Sequence, residues 1–154
     1  MPAADDAFDP AALFERLASA GVDFVVIGAV AGGAHGSAYG TFNIDLAFTD
    51  RPENVDRLSA ALTEIGADGP FEPPAFSCQT SLGYVKCFAA PIGVRSYDAL
   101  RAEAWPIDVR GATVWIAALD QLIGMKEGQG RTRDKLLAME YRTISDELRA
   151  PPES

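Results

Sequence analysis

Apolar residues along the chain switch repeatedly between helical and strand spacing. Asp9 followed by Pro10 predicts a helix start: a side-chain cap, then a proline at the first helical position, where no amide partner is lost. Leu13, Phe14 and Leu17 form the apolar stripe of this helix and Gly21 ends it. Residues 22–27 are rich in β-branched side chains and predict a buried strand. The small residues of 28–37 follow, a stretch that turns tightly and lets backbone approach another group closely. Residues 43–48 predict a second strand. Pro52 then opens a long helix with Val55, Leu58, Leu62 and Ile65 at helical spacing and Gly66 as its stop.

Residues 67–75 are rich in Gly and Pro and predict a loop, and 76–80 with 84–88 predict a hairpin around Ser81-Leu82-Gly83. That pairing sets Ser77 opposite Cys87, so Cys78 and Cys87 are expected to be buried thiols and not a disulfide. A short helix over 97–104, short strands over 107–109 and 112–116 meeting at Gly111, and helices over 118–127 and 132–149 complete the pattern. Gly128-Gln129-Gly130 separates the last two helices, and Pro151-Pro152 closes the folded part. Strands alternating with helices predict an α/β (α+β) architecture: one domain over residues 1–154, its core at about 10–148, with a mixed central sheet flanked by helices.

Composition narrows the choice of function. The length of 154 residues is enough for a substantial core, and 48% of the residues are hydrophobic. Thirteen Lys and Arg stand against 22 Asp and Glu, a net charge of −9, which argues against general binding to nucleic acid or to an anionic membrane. No 18-residue apolar run predicts a membrane span. The start, Met1 to Asp6, is acidic and lacks the basic and apolar regions of a signal peptide, so a cytoplasmic location is expected. One histidine and two cysteines without CxxC spacing leave little for a zinc site.

Gly28, Gly32-Gly33 and His35-Gly36-Ser37, followed by Thr41-Phe42-Asn43-Ile44-Asp45, carry a family resemblance. Together with Leu119-Asp120-Gln121-Leu122-Ile123, Lys126, Gly130-Arg131 and Asp134, they resemble the nucleotidyltransferase (polymerase-β-like) fold. The nearest branch is the bacterial group of minimal nucleotidyltransferases, AbiEii-type toxins and antibiotic-modifying adenylyltransferases. The resemblance implies a strand leading into a glycine turn and helix, a Thr-x-Asp-x-Asp strand, and a third carboxylate on a later strand. Residues i and i+2 of a strand point to one face, so two carboxylates there sit side by side and need a cation between them. Mg²⁺ supplies that cation and bridges the nucleoside triphosphate for in-line transfer. The glycine turn offers backbone N–H groups to the phosphates. The resemblance makes Gly28, Gly32, Gly33, Ser37, Asn43, Lys126 and Arg131 candidate ligand-binding residues.

The sequence departs from this pattern at the chemistry. The first carboxylate position is Asn43, and Asp45 alone remains to hold a metal if one binds. The third position aligns with Lys86, and Tyr39 stands where an Arg is common. An ammonium beside Asp45 favours an internal ion pair over a dication: at about 4 Å and an effective dielectric near 20, two unit charges interact by roughly 4 kcal/mol. The expectation is therefore no resident cofactor, with Asp45, Lys86, Tyr84 and Tyr39 as the candidate catalytic groups. Asp98 and Asp108 are the alternative third acids. The plain alternatives are an Asn43 that satisfies neighbouring backbone, a solvated Lys86, a structural His35 beside the glycine turn, and an Arg131–Asp134 helix pair.

Three functions follow as expectations. The first is a repurposed cleft around Asp45 and Lys86 that binds or converts a small molecule by acid–base chemistry. The second is an active nucleotidyltransferase using Mg²⁺ and an NTP on a small-molecule or protein acceptor, which incubation with labelled NTP distinguishes. The third is a non-catalytic, antitoxin-like module, as a homodimer or with a helical partner protein, which co-purification distinguishes.

Overall fold

The computed structural model describes residues 8–37, 43–91, 93–130 and 132–149. In chain order the elements are α1 (Pro10–Ser19), β1 (Phe24–Ile27), α2 (Gly28–Ala34), β2 (Asn43–Phe48), α3 (Pro52–Glu64), β3 (Ala75–Thr80), β4 (Gly83–Phe88), α4 (Tyr97–Glu103), β5 (Trp105–Val109), β6 (Ala112–Ile116), α5 (Leu119–Gln129) and α6 (Thr132–Arg149). Asp9 caps α1 by accepting a hydrogen bond from the Ala12 amide at 3.1 Å, as its position before Pro10 predicts. Gly21 follows that helix at φ +76°, the left-handed conformation that favours glycine.

Six strands form one mixed sheet in the order β3-β4-β2-β1-β6-β5. β2 runs parallel to β4 and β1 parallel to β6; the other neighbours are antiparallel. Alternation along β2 sends Ile44, Leu46 and Phe48 to one face, where all three are fully buried. Val85 and Cys87 of β4 share that face by register. α1 covers it on the Phe24 side, with the Phe14 and Phe24 rings 6.1 Å apart. The other face carries Asn43, Asp45 and Ala47, and α2 and α5 lie against it.

Several details differ from the sequence-based expectations. The stretch read as a tight turn is helical from Gly28 to Ala34. Its small residues serve helix packing: a β-carbon on Gly32 would lie 2.5 Å from the hydroxyl of the fully buried Tyr141 on α6. The hairpin loop has two residues, Ser81 and Leu82, because Gly83 (φ +136°) pairs directly with Thr80. Thr80 secures the turn by donating to the Gly83 carbonyl at 2.7 Å and accepting from the Leu82 amide at 3.1 Å. The register therefore shifts by one, and Phe76, not Ser77, lies opposite Cys87. Cys78 and Cys87 are buried and free, as expected. Burial pushes the Cys78 thiol up to about 11.

Two polar groups tie elements together. Asn54, at the start of α3, is 1% exposed; its Oδ1 accepts from the Asp23 amide at 2.7 Å. Its Nδ2 donates to the carbonyls of Asp23 at 3.1 Å and Thr49 at 2.9 Å. His35, just past α2, donates from Nε2 to the Ala117 carbonyl at 2.8 Å, and its ring meets Trp105 edge-on at 4.5 Å. The structural reading of His35 holds. No helix among the described residues is long and apolar enough to cross a membrane.

Candidate functional site

Asp45 sits mid-way along β2, with Ile27 opposite it on β1 and Lys86 opposite it on β4. Two residues along each strand, Asn43 pairs with Tyr84. The alternation of both strands thus brings Asn43, Asp45, Tyr84 and Lys86 to one face, as the sequence predicts. β1 ends at Ile27 and the chain turns at Gly28, φ +69°, directly over the Asp45 carboxylate. A β-carbon at Gly28 would lie 2.5 Å from Asp45 Oδ2, so only glycine fits this turn without displacing the acid.

A cleft of about 150 Å³ opens at this point. Ile27, Phe88, Leu122 and Met125 give it apolar walls, while Asp45 and Lys126 are its charged groups. Asp45 Oδ1 is buried and has no hydrogen-bond partner among the described residues. Burial raises the Asp45 carboxyl above its ordinary value, and the nearby Lys86 and Lys126 ammonium groups oppose that rise. Lys126 Nζ lies 3.5 Å from Oδ1 of Asp134, which α6 holds at 1% exposure. Asp134 thereby anchors the lysine from the neighbouring helix.

The structure separates the other candidate residues. Lys86 neighbours Asp45 in register and acts on it through space, yet no ion pair within 4.0 Å joins the two among the described residues. The Tyr84 hydroxyl donates to Ser77 Oγ on β3 at 2.8 Å, and neither Tyr84 nor Lys86 lines the described cleft wall. Gly32 packs against Tyr141, and a β-carbon on Gly33 would meet nothing within 4 Å. The Ser37 amide donates to the Gly32 carbonyl at 2.9 Å. Asn43 is exposed at the start of β2. Tyr39 and Arg131 lie outside the described residues.

Asp108 does not supply a third acid: it sits on the edge strand β5, separated from β2 by β1 and β6. Asp98 lies in the first turn of α4, away from the cleft lining. Among the described residues no three His, Cys, Asp or Glu side chains converge as a metal site. Sequence reasoning missed Phe88, Leu122 and Met125 as cleft walls. Strand parity from Lys86 to Phe88 points to the first of these; the others depend on how α5 crosses the sheet.

No protein-family model and no curated protein sequence matches the chain. Solved structures do. The antibiotic-resistance factor ANT(2'')-Ia superposes with a TM-score of 0.61 at 15% identity, covering 90% of this chain and 83% of the other. An antigenic nucleotidyltransferase-like protein from Paracoccidioides brasiliensis gives 0.61 at 17% identity, covering 92% and 75%. A Thermotoga maritima protein assigned as a nucleotidyltransferase gives 0.59 at 16% identity, covering 88% and 89%. The mixed six-stranded sheet, its flanking helices and these superpositions agree: the chain has the nucleotidyltransferase fold.

Proposed function

We propose that the cleft at Asp45 binds or converts a small molecule by acid–base chemistry, and that Mg²⁺-dependent nucleotidyl transfer has been lost. The observation that carries this reading is the surroundings of Asp45. It is the one carboxylate among the described residues lining the cleft, one of its oxygens is enclosed without a partner, and its charged neighbours are two lysines. Mg²⁺ takes near-octahedral oxygen donors and is commonly held by carboxylates with phosphates. One carboxylate, the amide of Asn43 and two ammonium groups do not fit that cation. They do suit proton chemistry. A carboxyl raised by burial keeps its proton at a higher pH than a free Asp and passes it to or from a hydrogen-bonded ligand. The walls at Ile27, Phe88, Leu122 and Met125 favour a ligand with an apolar body and a polar head at Asp45.

Active transfer from an NTP to a small-molecule or protein acceptor is the competing reading, favoured by the likeness to ANT(2'')-Ia and by the glycine turn over Asp45. One experiment separates them. The protein is incubated with radiolabelled NTPs and Mg²⁺ or Mn²⁺, and metal binding is titrated calorimetrically. The proposal expects no labelled product and no stoichiometric metal binding. Transfer or tight metal binding that Asp45→Ala abolishes would overturn it.

A further inference from the structure

We propose that the chain holds a second binding site, at the opposite end of β1 from Asp45, and that it takes a free α-amino acid with an apolar side chain. This site stands apart from the proposed function. A cavity of about 230 Å³ opens there between the end of α1, the start of β1, α4 and β6. Ala18, Val22 and Trp115 supply apolar surface, and Asp23, Tyr97 and Arg101 supply polar groups. The cavity shares no lining residue with the Asp45 cleft. The Arg101 guanidinium stacks on the Trp115 ring, its central carbon 3.3 Å from the ring centroid. Stacking fixes the plane of the fork and leaves its N–H edge for an oxyanion in bidentate geometry.

The polar groups of this cavity are without partners. Among the described residues, neither Asp23 nor Arg101 makes a side-chain ion pair within 4.0 Å. The Tyr97 hydroxyl has no hydrogen-bond partner among them either. The Asn54 amide holds the Asp23 N–H at 2.7 Å and the Asp23 carbonyl at 3.1 Å, so the carboxylate branches from a fixed point. Burial, and after it the Asp23 carboxylate, push the Tyr97 phenol up to about 12, which keeps it a protonated donor at neutral pH. Arg101, Asp98 and Arg51 also act on this hydroxyl through space, so two acids and two guanidinium groups surround it. That balance selects the ligand. A simple anion gains from Arg101 but is repelled by Asp23. A simple amine gains from Asp23 but is repelled by Arg101. A ligand with an ammonium beside a carboxylate is attracted by both, and Tyr97 adds a donor to the carboxylate. A free α-amino acid carries that pair on neighbouring carbons, whereas a peptide carries it at distant ends. The apolar surface takes the side chain.

The test is isothermal titration calorimetry on the full chain with L-alanine, L-leucine and L-phenylalanine. Each is set against the matched acid without its amine and the matched amine without its carboxylate. At least one amino acid is expected to bind with a Kd below about 1 mM, and about tenfold or more tighter than either counterpart. Arg101→Lys keeps the charge but loses the fork, and should weaken that binding about tenfold. Tyr97→Phe should weaken it by roughly a few-fold. Asp23→Asn should weaken the amino acid and strengthen the matched acid, which no loss of folding would do. Circular dichroism melts confirm that the variants fold. No binding by any of the three amino acids, a counterpart that binds as tightly, or binding untouched by both Arg101→Lys and Asp23→Asn would each overturn the proposal. Binding lost in Asp45→Asn would place the ligand in the other cleft and overturn it as well.

Discussion

The backbone of Gly28 passes so close to the side chain of Asp45 that a single methyl group does not fit between them. The β-carbon of any other residue at this position would stand 2.5 Å from Asp45 Oδ2 and 2.9 Å from its Cβ. Position 28 also holds φ +69°, a conformation that costs an L side chain on the order of 1–3 kcal/mol. One turn of chain thus fixes where the acid of the cleft points.

Gly28→Ala is therefore expected to destabilise the fold by roughly 3 kcal/mol, combining backbone strain with overpacking. Gly32→Ala should cost about 1–3 kcal/mol, because its β-carbon meets the buried Tyr141 ring. Gly33→Ala is the internal control: it lies in the same helix with nothing within 4 Å, and alanine there should be neutral or stabilising by up to about 1 kcal/mol. Urea denaturation of the three variants checks the ranking. A Gly33 variant as unstable as the Gly28 variant would mean that any added side chain in α2 is costly, and that the Asp45 contact does not set the effect.

The pH dependence of stability should carry the signature of Asp45. A carboxyl raised in the folded chain binds its proton more tightly there than in the unfolded chain. Stability therefore falls as pH rises from the ordinary value of 3.8 through the raised one, and levels off above it. Asp45→Asn removes this loss. The variant should melt on the order of 2 °C above the parent at a pH of about 7 and lose that advantage at a pH below about 4. Calorimetric melting across this range checks it. An advantage that grew on acidification would contradict the raised carboxyl.

How much of this was legible in the sequence depends on whether the determining contacts are local. Residues 43–48 form the predicted strand because apolar alternation encodes it, and that same alternation places Asp45 and Lys86 on one face. The resemblance supplied the placing of Lys86 beside Asp45; the parallel pairing of β2 with β4 that achieves it is contained in no local pattern. The hairpin register slipped by one because Gly83 reads equally well as a turn residue and as the first residue of a strand. β5 begins at Trp105, two residues before the prediction, since Pro106 looks like a strand breaker yet is tolerated on an edge strand. The cleft walls on α5 and the seat of Tyr141 on Gly32 come from helix crossing geometry, which spacing along one helix does not reveal.

Lys126 and Asp134 were visible as motif positions, but their burial was not. Because Asp134 is 1% exposed, losing it removes the anchor of a half-buried ammonium, and losing Lys126 leaves a buried carboxylate short of a partner. Asp134→Ala should cost about 3 kcal/mol. Asp134→Asn keeps an acceptor for Lys126 and should cost about half as much. Denaturant melts of both variants check the order. Equal and negligible losses would show that the pair contributes nothing to the packing of α5 on α6.

Asn54 gives the sharpest test of the fold itself. Its amide holds three backbone groups that no strand ladder satisfies: the Asp23 N–H, the Asp23 carbonyl and the Thr49 carbonyl. Through them it joins the segment leading into β1 to the segment leaving β2, and so sets the two strands that carry Ile27 and Asp45. Asn54→Ala leaves three buried polar groups without partners and should cost roughly 3 kcal/mol. Asn54→Asp keeps the acceptor for the Asp23 amide but turns a carboxylate oxygen toward two carbonyls in place of a donor, so its loss should be greater at neutral pH. Acid should narrow the gap, because protonation removes the charge and returns one donor. Melting both variants at a pH of about 4 and about 7.5 measures this. An Asn54→Asp variant no less stable than Asn54→Ala at the higher pH would show that the two carbonyls find other donors when the amide is lost.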